Sequence, residues 1–78
     1  MKNIVPDGLY LMVRLSVAAK VLRMNETLAR GLAREGKLSV LQPGGPNAHR
    51  FVLPEEIARF ADHLGIQAQW EHALNEPV

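Results

Sequence analysis

The chain has 78 residues, 47% of them hydrophobic and 22% charged, with a formal net charge of +1 and no cysteine. These values fit one small globular domain rather than a disordered chain, and they exclude disulfides, thiolate zinc sites and thiol nucleophiles. The longest apolar run, Leu9 to Val13, is far below the roughly 20 residues that span a bilayer, and residues 1–7 lack the basic-then-apolar order of a secretion signal, so a soluble cytoplasmic protein is expected.

In chain order, Pro6-Asp7-Gly8 forms a turn signal, and Leu9-Tyr10-Leu11-Met12-Val13 reads as a strand or extended arm, so residues 1–13 make an N-terminal arm. Ser16 is a suitable N-cap for a short amphipathic helix through Arg23, with Val17, Val21 and Leu22 on one stripe. Asn25 offers a second N-cap, and Glu26 behind it suits the positive end of a helix over 26–35. In that helix Leu28 and Leu32 are expected to face the core beside Ala29 and Ala33, while Arg30 and Arg34 project from another face. Gly36 stops it in the left-handed conformation, and about three residues around Met24 join the two helices tightly.

The period then changes. Lys37 to Gln42 and His49 to Leu53 read as strands around a Pro43-Gly44-Gly45-Pro46-Asn47-Ala48 loop, a β-hairpin with a long tip. Pro54 opens a third helix with Glu55 and Glu56 in its first turn and Ile57, Phe60, Ala61 and Leu64 as its buried stripe, and Gly65 ends it. Residues 66–75 carry a further helical stripe of Ile66, Trp70 and Leu74, which either completes the core or meets a partner subunit. Segment 9–13 poses the same choice, adding to the hairpin of its own chain or of a neighbour.

Charge is unevenly divided. Between Arg14 and Leu53 stand seven basic residues and two acids, whereas the remainder holds two basic residues and six acids. A basic middle between acidic ends points to one surface that faces a polyanion and another that faces away.

The order helix, tight turn, helix, glycine stop, hairpin, helix is that of a winged helix-turn-helix. Ala18-Ala19-Lys20-Val21-Leu22, Asn25-Glu26-Thr27-Leu28 and Leu32-Ala33-Arg34-Glu35-Gly36-Lys37-Leu38 resemble the small DNA-binding domains of the MerR and phage excisionase type. Arg50-Phe51-Val52-Leu53-Pro54-Glu55-Glu56-Ile57 is similar to that family's returning wing strand and the helix after it. The resemblance covers residues 14–65 and implies that the Ala-Ala pair packs the first helix on the second. It also implies a recognition helix over 26–35, a wing over 43–48, and several copies bound cooperatively on adjacent sites, with an integrase or another protein as a further partner. Glu26 stands where the family has a small polar or basic residue, and its carboxylate suits a cytosine amino group.

Candidate DNA-binding residues follow. Thr27 and Arg30 lie on the outer face of the second helix, with Asn25 and Glu26 at its start, and Arg30 has the geometry for a bidentate contact to guanine. Lys20 and Arg23 are placed for phosphates, and Asn47, His49 and Arg50 at the wing tip follow the backbone or reach a minor groove. Arg34 sits at a helix C-terminus, where the dipole favours a cation whatever the function.

Catalytic chemistry finds no foothold. His49, His63 and His72 lack metal-ligand spacing, Glu55, Glu56 and Asp62 read as dipole compensation, and Gly44-Gly45 between prolines is a hairpin tip rather than a phosphate loop. Neither an enzyme nor a cofactor nor a metal is expected. The expectation is an α+β, mainly α, winged helix-turn-helix: arm 1–13, domain 14–65, helical extension and tail 66–78. Its expected ligand is duplex DNA at the nucleoid, in an excisionase-like recombination directionality factor or a small transcriptional regulator. The alternatives are a protein-binding winged helix, acting as inhibitor or assembly factor, and a DNA-packaging recognition domain.

Overall fold

A computed structural model describes residues 2–9, 11–45 and 47–75. Its order is β1 (Val13–Arg14), α1 (Leu15–Val21), α2 (Glu26–Arg34), β2 (Phe51–Val52), α3 (Pro54–Leu64) and α4 (Glu71–Leu74). The fold is α+β, with four helices and a two-stranded antiparallel sheet.

The sheet differs from the expected hairpin. β1 pairs with β2 in the register Val13 to Val52 and Arg14 to Phe51, while the 37–42 segment contributes only a bridge between Leu41 and Phe51. Side-chain bonds explain the short ladder. The Ser39 N–H donates to Glu56 of α3 instead of to a strand, and the Gln42 amide donates to the Ala48 carbonyl across the loop. Beyond β1, Leu11 and Met12 are exposed and unpaired with any strand, so the expected strand over 9–13 shrinks to its last residue plus Arg14, and Tyr10 lies outside the described residues. β1 joins its own chain's β2 rather than needing a neighbour's.

Strand runs into helix without a break. Leu15 is buried and its N–H donates to the Arg50 carbonyl, so α1 begins at Leu15 and Ser16 lies inside the first turn rather than capping it. Ala18 and Ala19 are fully enclosed, and Ala29 of α2 is equally closed off. α1 and α2 pack against each other, and small buried side chains on both helices suit a close approach. Four residues, Leu22 to Asn25, make the link, and Arg23 adopts a left-handed φ of 62°. Asn25 caps α2 as expected, its side-chain oxygen accepting from the Leu28 N–H at 2.8 Å. Gly36, with φ of 78°, ends it.

Leu28 does not enter the core. It is 51% exposed, because Ala29 and the half-buried Leu32 and Ala33 define the inward arc of α2 and Leu28 lies beyond its edge. Leu64 is displaced in the same way at the end of α3, where Ile57, Phe60 and Ala61 are buried and Gly65 turns the chain away with φ of 71°. The largest fully buried side chains are Leu22, Leu38, Ile57, Val21 and Val52, drawn from the end of α1, the segment after α2, β2 and α3. Each contributes roughly 1.5–3 kcal/mol through burial.

The C-terminal extension belongs to that same core. Ala68, Trp70 and Ala73 are buried, and the Gln69 N–H donates to the Val21 carbonyl at the end of α1. Only Glu71–Leu74 is helical, Leu74 is exposed, and the tail 76–78 lies outside the described residues. Asn3 ties the N-terminal arm to this region. Buried itself, it donates from its side chain to Asp62 and to the Ile66 carbonyl, and it accepts from the Ala68 N–H. Those bonds join residues some sixty positions apart, and the sequence offered no sign of them.

Candidate nucleic-acid interface

α2 crosses one side of the molecule, and the 48–50 segment runs beside it because β2 must return to pair with β1. A groove of 540 Å³ opens between these elements. α2 lines it with Glu26, Arg30 and Arg34, all on one side of the helix, and β1 and the start of α1 add Arg14, Leu15 and Ser16. Ala48, His49 and Arg50 close the third side. Four arginines thus surround one space with a single carboxylate among them.

Of the residues expected to bind DNA, the groove gathers Glu26, Arg30, His49 and Arg50. The others sit outside it. Lys20 is exposed on α1, Arg23 is exposed in the interhelical turn, and Asn47 is exposed in the loop. Thr27 is exposed on α2, and Asn25 spends its side-chain oxygen on the cap. Arg14 was absent from the expectation and Arg34 was read only as dipole compensation, yet both line the groove. A signal existed for each. Arg14 follows a buried Val13 in a strand, so alternation turns it outward. Arg34 is one turn beyond Arg30, so it shares that face.

The cations are held differently. Arg30 pairs with Glu26 one turn earlier, Lys37 with Glu35 at 3.5 Å, and Arg59 with Glu56 at 2.7 Å. No ion pair among the described residues involves Arg14, Arg34 or Arg50. Away from the groove, two carboxylates are held by specific partners. The Arg59 guanidinium bonded to Glu56 holds its carboxyl below the usual range, opposed by partial burial and assisted by the Ser39 N–H. Asp62 is lowered by the bonds it accepts from the Asn3 side chain and backbone.

Among the described residues no group of three or more His, Cys, Asp or Glu stands close enough to hold a metal ion. No helix is long and apolar enough to cross a membrane. No family model matches the chain, nor does any curated protein or any solved structure.

Proposed function

We propose that this chain is a winged helix-turn-helix domain that binds duplex DNA, with α2 in the major groove and the 43–48 loop as a wing on the backbone or in the minor groove. The observation that carries this reading is the groove, in which Arg14, Arg30, Arg34 and Arg50 from three separate segments surround one space. Such a concentration of arginine is the electrostatic footprint of a polyanion partner. The element order supports it, since two helices joined by a tight turn precede a returning strand and a third helix. Thr27 and the Arg30–Glu26 pair lie on exposed parts of α2, within reach of base edges in that pose. A single copy offers few contacts, so useful affinity comes from cooperative binding on adjacent sites, as an excisionase-like directionality factor or a small transcriptional regulator requires.

Fluorescence anisotropy with a labelled duplex of random sequence tests the reading. Four or so neutralised phosphates give a fall of about a hundredfold in affinity between 50 and 200 mM salt. Arg23→Ala combined with Arg30→Ala weakens binding at least tenfold on this account. A second reading, a protein-binding winged helix, is favoured by one feature: Leu28 is half exposed on α2, where a partner protein's apolar residue would meet it. No binding to duplex at micromolar protein and low salt selects that second reading.

A further inference from the structure

The four arginines of the groove are not equivalent. Arg30 is neutralised by Glu26, whereas Arg14, Arg34 and Arg50 have no carboxylate partner among the described residues. Resting on the DNA-binding reading, we propose that Arg14, Arg34 and Arg50 form a three-armed seat for one phosphate group of the duplex backbone, beside an Arg30 that stays with Glu26.

Three lines of argument support the seat. First, only Leu15 and Ala48 among the lining residues are apolar. Pockets for neutral small molecules are predominantly apolar with a few polar groups, so this one is built for a charged, hydrated ligand. Secondly, its arms are mounted on fixed backbone. Arg14 faces Phe51 in the β1–β2 ladder, and the Leu15 N–H holds the Arg50 carbonyl at 3.0 Å, so Arg14 and Arg50 are anchored together. Arg34 ends α2, whose course is set by the Asn25 cap and the Gly36 stop. Planar guanidinium groups held in this way give paired hydrogen bonds to phosphate oxygens that a flexible lysine does not. Thirdly, Glu26 would repel a phosphate in the same groove were its charge left bare. Pairing with Arg30 cancels that repulsion and leaves three uncompensated cations to face the anion.

The seat recognises phosphate chemistry, which a duplex backbone or a free polyphosphate can supply, and the test separates the two. Thermal unfolding of the whole chain is measured with inorganic pyrophosphate against sodium chloride of equal ionic strength, beside salt-dependent anisotropy with duplex. Wild type is expected to gain about 5 °C in about 10 mM pyrophosphate. Arg14→Gln and Arg34→Gln are each expected to lose that gain, to weaken duplex binding roughly tenfold and to lower the log–log salt slope by at most about one, since all three arms share one phosphate. Both substitutions keep the backbone and long side chain, and a melting temperature in chloride at or above that of wild type verifies folding. Duplex binding by Arg14→Gln and Arg34→Gln with unchanged affinity and slope overturns the seat and leaves the DNA reading standing. Stabilisation of wild type by pyrophosphate without any duplex binding does the reverse: the seat stands with a free polyphosphate as its ligand, and the DNA reading falls. No response to either ligand removes both.

Discussion

The molecule has two sides that treat their polar groups in opposite ways. Around α3, the 66–70 segment and the N-terminal arm, polar groups bond one another, with the buried indole N–H of Trp70 left without a partner among the described residues. Asn3 bridges Asp62, Ile66 and Ala68, and Glu56 is shared between Arg59 and Ser39. Around α2, the chain tolerates features that cost stability without any internal return. Three arginines crowd a groove unpaired, Arg23 sits at a left-handed φ, and Gly31 interrupts the interior of a helix. A region whose polar groups bond one another is a frame, while one that leaves costs standing is shaped for something outside the chain. Breaking the first should unfold the protein, and relieving the second should stabilise it at the expense of binding.

The largest effect is expected at the frame. Asn3→Ala removes three side-chain hydrogen bonds and strands the Ile66 carbonyl and the Ala68 N–H in a partly buried setting. Leaving such groups unsatisfied costs about 1–3 kcal/mol for each. A total loss of about 3 kcal/mol lowers the melting temperature of a domain this small by roughly 12–20 °C. Circular dichroism on heating measures it, and a drop under a few degrees would show that the arm is not a structural part of the frame.

A smaller effect of opposite sign is expected at Gly31. Its φ is not left-handed, and a Cβ built there meets nothing within 4 Å, so no internal contact requires glycine. Gly31→Ala should therefore raise stability by about 0.8–1 kcal/mol, the helix-propensity difference. If α2 enters a groove with this side inward, the added methyl group also holds the helix off its ligand and duplex affinity falls. Higher stability with undiminished affinity would remove Gly31 from the contact surface without touching the rest of the face.

The two sides were unequally legible in the sequence. Local signals survived folding wherever one residue decides one event: the Asn25 cap, the Gly36 and Gly65 stops and Pro54 at the start of α3 all act within a turn of themselves. The burial of Ala18 and Ala19 is in keeping with the packing role that the resemblance implies for them. What failed depended on distant partners. Lys37 to Gln42 carries strand composition, but Ser39 and Gln42 found hydrogen-bond partners off the ladder, and β1 took the other edge of β2 instead. Leu28 and Leu64 matched a helical stripe, yet both lie at its outer edge and are exposed. Asn3 was invisible because a polar residue near a terminus carries no hint of contacts some sixty residues away. On the groove, helix-borne Glu26 and Arg30 and the loop residues His49 and Arg50 were legible from the sequence. Strand alternation turns Arg14 outward, but its place beside Arg50 comes from the β1–β2 register, which the sequence concealed.

The subtlest test concerns Arg23, where strain and charge reside in one residue. A non-glycine side chain in the left-handed region costs about 1–2 kcal/mol, and Arg23, at φ of 62°, bears that cost in the turn between α1 and α2. Glycine would relieve it but would also enlarge the freedom of the unfolded chain, which takes back about 0.5–1 kcal/mol. Arg23→Gly is therefore expected to stabilise the fold by about 0.5 kcal/mol, a rise of roughly 2–4 °C in melting temperature. Arg23→Ala keeps the strain and removes an exposed side chain beyond Cβ with its charge, so its melting temperature should stay near the wild-type value. If Arg23 meets a phosphate, both variants lose the same affinity for duplex and the same one unit of salt slope, whatever their stability. Equal loss in the two assigns the effect to the charge. Loss in neither means that the turn keeps a costly arginine for no ligand, and it moves the boundary of the contact face back to α2.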